Sequence, residues 1–146
     1  MQTYINSKLV QASPMSKYEY YRSNGLNQLI KIDPENIDDV DGFLVEDPKG
    51  ISNHPDHKGR IQWLSHAEFM TEYVDLGDIS TYPEFQQRML GELAQLNSKL
   101  VALNKFTKTD QFLKLSFDDR DLLQEQCRVM SRYSDVLTKR ILNAGF

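Results

Sequence analysis

Residues 81–106 read TYPEFQQRMLGELAQLNSKLVALNKF. Phe85, Met89, Leu93, Leu96, Leu100, Leu103 and Phe106 recur every three or four positions. Side chains so spaced share one face of an α-helix, so the stretch predicts an amphipathic helix of about six turns. Thr81-Tyr82-Pro83-Glu84 reads as its cap, because proline is tolerated in a first turn. Thr107-Lys108-Thr109-Asp110 breaks the pattern, and Gln111 to Leu115 has room for one short turn. Ser116-Phe117-Asp118-Asp119 then opens a second helix. Its stripe is Leu122, Leu123, Met130, Tyr133, Leu137 and Ile141, widened by Val129 and Val136. Two helices with a short connection form an antiparallel hairpin. A lone hairpin cannot bury two such stripes, so the surplus apolar surface implies self-association or docking on the rest of the chain.

The segment before it has a different texture. Tyr4 to Ala12, with Ile5, Leu9 and Val10, reads as a strand. Ser16-Lys17-Tyr18-Glu19 is a capping box for a short helix through Arg22, stopped by Asn24-Gly25. Residues 33–41 are acidic and read as a loop. Gly42 to Glu46 and Gly59 to Leu64 read as strands flanking the turn Asp47-Pro48-Lys49-Gly50. Ser65-His66-Ala67-Glu68 caps another helix, running to about Tyr73. The expected fold class is therefore α+β: a small α+β domain over residues 1–79, then a helical hairpin over 80–146 that oligomerises.

Charge divides the chain at the same place. Residues 1–79 carry 7 basic and 13 acidic side chains, a net of −6. Residues 80–146 carry 10 basic and 8 acidic ones, a net of +2. An anionic ligand should prefer the second segment. The overall charge of −4 argues against a general DNA binder. No apolar run approaches the roughly 20 residues of a membrane span. One cysteine, Cys127, excludes an intrachain disulfide and leaves a reducing cytoplasm as the default location.

Catalytic chemistry finds little footing. His54-Pro55-Asp56-His57 has two imidazoles and a carboxylate, a set zinc accepts, but a solvent-exposed turn is the simpler reading. Cys127 lies mid-helix with no histidine near it in sequence and reads as a small half-buried hydrophobe. The Asp38, Asp39 and Asp41 cluster lacks calcium-loop spacing. No Gly-rich phosphate loop or serine elbow occurs, so no enzyme and no cofactor are expected. More interesting are Tyr82, Phe85, Gln86 and Arg88 at the start of the first long helix, Lys99 and Lys105 further along it, and Arg128, Arg132, Lys139 and Arg140 on the second. Bases stack on aromatic rings and phosphates pair with Arg and Lys. From the residues alone the simpler account is that Tyr82 and Phe85 staple the helix while the cations solubilise it.

A resemblance shifts that balance. Phe85-Gln86-Gln87-Arg88-Met89 with Glu92, Leu96, Lys99, Leu103 and Phe106, then Gln126, Met130 to Leu137 and Arg140-Ile141, resemble the phage anti-CBASS sponge family. The likeness covers residues 82–142. It implies a helical protein, a hexamer in that family, which sequesters cyclic di- and trinucleotides in the infected host's cytoplasm without cleaving them. Cyclic GMP-AMP-like dinucleotides are the implied ligands, together with cyclic trinucleotides. It also implies an aromatic that stacks on a base and a lysine about four turns later that completes the pocket. Phe85 and Lys99 match those roles, with Gln86 beside the aromatic. Phe85 stands where the family commonly has Tyr, which keeps the stacking and loses a hydroxyl; Tyr82 is the alternative aromatic. Arg88, Arg132 and Arg140 are the implied candidates for a trinucleotide site. The first half, through Pro14 to Tyr21, Gly42 to Glu46, and Gly59 to Ser65 with Phe69, resembles a phage module of unknown function. Related modules precede sponges for the cyclic ADP-ribose signal of Thoeris defence. Gln62-Trp63-Leu64 departs from that module's usual Ser-Trp-Ser. The competing expectation is a protein-interaction module in which the hairpin only oligomerises.

Overall fold

The computed structural model describes residues 1–4, 7–24 and 39–145, arranged as two compact units, Met1–Tyr73 and Val74–Phe146. Ile5, Asn6, Asn36 and Asp38, and with them part of the expected first strand and acidic loop, lie outside the described residues.

The first unit is built on a three-stranded antiparallel sheet in the order β1 (Gln11–Pro14), β2 (Gly42–Asp47), β3 (Arg60–Ser65). The first strand lies later than the sequence suggested. Residues 7–10 are not strand, and β1 pairs through Gln11↔Glu46 to Pro14↔Phe43. Apolar content marked Leu9 and Val10, but pairing with β2 decides the register. Pro14 is tolerated there because β1 is an edge strand. The β2 and β3 assignments hold to within one residue, and Gly50 N–H donates to the Asp47 carbonyl at 3.0 Å in the turn that follows β2.

Alternation puts the two sheet faces to different uses. On one, Phe43 stacks on Phe69 of α2 (His66–Glu72) at 4.1 Å, and Val45 is buried beneath. On the other, Trp63 reaches Met15, its indole N–H donating to that carbonyl at 2.9 Å. The Trp63 ring lies against Gly42, where a Cβ would come within 2.4 Å of it, so only glycine allows this crossing. Lys17, at the start of α1 (Lys17–Ser23), sits 5.8 Å from the Trp63 ring. Both expected capping boxes form: Ser16 with Glu19, and Ser65 with Glu68. β3 is shielded at Ile61, whose N–H and carbonyl are both bonded by the Asn53 side chain at 2.8 and 2.9 Å.

Three carboxylates of this unit are held below their ordinary range: Glu46 chiefly by His57, Asp47 chiefly by Lys8, and Glu68 chiefly by the Ser65 hydroxyl. A depressed folded-state pKa stabilises above the unfolded carboxylate value, and the stabilisation is lost as pH falls through the folded value. The first unit is therefore expected to melt at lower temperature at pH 3 than at pH 7. Glu46→Gln should narrow that difference in circular-dichroism melts.

The second unit is the helical hairpin: α3 (Glu84–Phe106), α4 (Asp110–Leu113) and α5 (Phe117–Asn143). Its antiparallel sense is fixed by Gln86 bonding the Ala144 carbonyl and by Glu92 meeting Tyr133. Phe106 and buried Phe112 meet edge to face at 6.1 Å and close the connected end. Ser116 caps α5 as expected, accepting from Asp119 N–H at 3.1 Å. The Thr81 cap does not form. Pro83 is itself the N-cap residue, with extended backbone and no side-chain bond, so α3 begins at Glu84. Proline's fixed φ suits that position but brings no acceptor. Past α5, Gly145 takes φ +81, the left-handed conformation that ends helices.

The α5 stripe splits in two. Leu137 and Ile141 are buried and Leu123 and Met130 half-buried, whereas Leu122, Val129, Tyr133 and Val136 are exposed. On α3 the same holds for Phe85, which the stripe placed inside and which is 52% exposed. The surplus apolar surface expected from the pattern is thus present and exposed among the described residues.

Candidate functional site

Phe85, Glu92 and Lys99 are seven residues apart in turn. Seven residues are close to two helical turns, so the three stand in one row along α3, about 10 Å from one to the next. Arg88 lies on the same side, three residues after Phe85, and meets Glu84 at 3.6 Å. On α5, Tyr133 and Arg140 are likewise seven apart. The Tyr133 hydroxyl donates to Glu92 Oε1, which joins the two rows across the helix pair. That bond, on an acceptor already negative, holds the Tyr133 phenol above its ordinary pKa and keeps it protonated; Arg140 acts in the opposite sense. The resulting face presents two exposed aromatics, Phe85 and Tyr133, and three exposed cations, Arg88, Lys99 and Arg140, with Glu92 at its middle and Glu84 beside Arg88.

Chemically this face can stack planar bases and pair with phosphates. Four sequence candidates fall on it: Phe85, Arg88, Lys99 and Arg140. The other three lie elsewhere. Gln86 is buried between the helices, with Nε2 donating to the Ala144 carbonyl at 3.1 Å, and so ties the start of α3 to the end of α5. Tyr82 precedes α3; its carbonyl accepts from Gln87 Nε2 at 2.8 Å. Arg132 neighbours Tyr133 and is therefore turned roughly 100° round α5. A second polar bridge, Ser134 to Asn97 at 2.7 Å, ties α5 to α3 away from Tyr133. Tyr133 and Glu92 are not among the site candidates read from the sequence, although both fall in the stretches that carry the resemblance. Tyr133 read as core because it fits the apolar stripe, and the signal available was Glu92 midway between Phe85 and Lys99.

The first unit offers less to an anion. A groove of about 430 Å³ is lined by Met15, Phe43 and His66 among others, but also by the carboxylates of Glu19 and Asp41. The His54 to His57 segment is a turn, though not an open one. His57 Nδ1 lies 2.9 Å from Glu46 Oε2, and Gly59 N–H donates to Glu46 Oε1 at 2.8 Å. The imidazoles of His54 and His57 meet edge to face and are partly covered. Among the described residues no three His, Cys, Asp or Glu side chains are grouped to hold a metal ion. Cys127 is half-buried on α5. Among the described residues no helix is long and apolar enough to cross a membrane.

Comparison with known proteins gives one result. Residues 83–143, which span α3 to α5, match the family model described as Sequestin. That description denotes sequestration, a binding activity. No curated protein and no solved structure matches the chain.

Proposed function

We propose that this chain is a non-catalytic sponge whose second unit holds a cyclic oligonucleotide signal and so blunts anti-phage defence of the CBASS type in the host cytoplasm. The observation that carries the reading is the face built by Phe85, Arg88, Lys99 and Arg140 around the Glu92–Tyr133 bridge, within the segment that matches the Sequestin model. Aromatics supply stacking and the cations supply charge for two or three phosphates. The net charges, +2 here and −6 in residues 1–79, favour the same unit. A homo-oligomer, a hexamer by the resemblance, fits the outer stripe of α5. Leu122, Val129 and Val136 recur there every seven residues, all exposed, as in helices that associate side by side.

The test is calorimetric titration of the purified chain with 3′,3′-cyclic GMP-AMP, cyclic triadenylate and cyclic ADP-ribose. A solution mass should be measured alongside. Stoichiometric uptake of an oligonucleotide, released intact on denaturation, is the expected result. Linear products, or no uptake of any of them, would sink the proposal. Uptake of cyclic ADP-ribose alone would keep the sponge and reassign its signal. The uncovered α5 stripe also suits a second reading, an interaction module that uses the hairpin only to oligomerise. In that case Phe85→Ala would leave anti-defence activity intact.

A further inference from the structure

The sponge reading, on which this inference rests, leaves one group of the face unexplained. Glu92 sits in the middle of a surface otherwise suited to phosphate, and a carboxylate there repels phosphate. Its Oε1 accepts the Tyr133 hydroxyl, while Oε2 has no hydrogen-bond partner among the described residues. An ionised carboxylate can only accept, so its complement is an N–H donor. The donors of a nucleotide that lie beside a stacked ring, rather than on its phosphates, are those of the base edge.

We infer that Glu92 is a specificity-determining residue that accepts a hydrogen bond from the exocyclic amine of a bound purine, and that Tyr133 positions it. The placement supports this. Glu92 stands two turns, about 10 Å, from Phe85 and from Lys99 in one row, so a ligand of nucleotide size seated at either end of the row reaches it. Tyr133 holds Oε1 from the facing helix, which fixes the rotamer and leaves Oε2 to the ligand. It also offers a second ring, 42% exposed, beside the carboxylate.

The test compares cyclic di-AMP, cyclic GMP-AMP and cyclic triadenylate with counterparts carrying hypoxanthine, which lacks the exocyclic amine. The wild type should prefer the amino-bearing member of each pair it binds by about ten-fold or more, the scale of one hydrogen bond to a charged group. Glu92→Gln keeps the shape but can donate as well as accept, so it tolerates the hypoxanthine oxygen. It should reduce that preference to within about three-fold. Tyr133→Phe keeps the ring, frees the carboxylate to rotate, and should reduce the preference in the same direction. Thermal melts of both variants check that the hairpin stays folded. Three results would overturn the inference and leave the sponge intact. These are a wild type indifferent to the amine, variants that keep the full preference, or variants that lose affinity equally for both members of every pair. Failure of the wild type to bind any of these nucleotides would overturn both.

Discussion

Lys99→Glu is expected to weaken cyclic oligonucleotide binding by about a hundred-fold while leaving the fold untouched. Lys99 is exposed, and no bond ties it to another side chain among the described residues. Its loss therefore costs little within the hairpin, since surface substitutions away from special features usually fall within about 0.5 kcal/mol. At a phosphate the change is much larger. A hydrogen bond from a charged donor contributes about 1.5–3 kcal/mol, and glutamate replaces it with repulsion. Phe85→Ala, on the same row, should cost about ten-fold, the scale of one stacked base. Phe85→Tyr should bind at least as well as the wild type, because stacking is kept. Calorimetry reads all three. Unchanged affinity in both Lys99→Glu and Phe85→Ala would remove this face from the site, whatever else the chain bound.

The hairpin was legible because its signals are local. Ser116 and Asp119 lie within one turn, and Leu137 and Ile141 are four apart, so spacing alone predicts both the cap and an inward face. The capping boxes at Ser16 and Ser65 were readable for the same reason. Signals that depend on distant partners misled. β1 begins at Gln11 because β2 supplies its pairing, and nothing between Tyr4 and Ala12 encodes that register. At Thr81 a local rule was present, but Pro83 took the N-cap position with its extended backbone. In the candidate site, the row Phe85, Glu92, Lys99 could be counted off the sequence. That Tyr133 lies opposite Glu92 could not, since it depends on how the two helices are offset. Periodicity also cannot separate an apolar stripe that faces in from one that faces out. Phe85, Tyr133 and Val136 all kept helical rhythm with the core and are all exposed.

Leu137 and Val136 turn that ambiguity into a measurement. Leu137 is 0% exposed, the most deeply buried side chain of the hairpin. Leu137→Ala deletes buried volume between α3 and α5 and should destabilise the second unit by about 3 kcal/mol. For a unit of this size that corresponds to a fall of roughly 12–24 °C in Tm. The first unit has its own core at Val45 and Ile61, so its transition should stay where it was. Unchanged melting of the second unit would mean that the hairpin is not packed through Leu137. Val136, the preceding residue, is 47% exposed, and in an isolated hairpin Val136→Ala should shift the midpoint by no more than about 2–4 °C. If the stripe of Leu122, Val129 and Val136 is covered by a second copy, Val136→Ala should instead lower Tm clearly, and by an amount that depends on protein concentration, because association stabilises by mass action. Val136→Glu should then give a smaller solution mass. A concentration-independent melt and an unchanged mass in both variants would leave that stripe facing solvent and remove α5 as the oligomer seam.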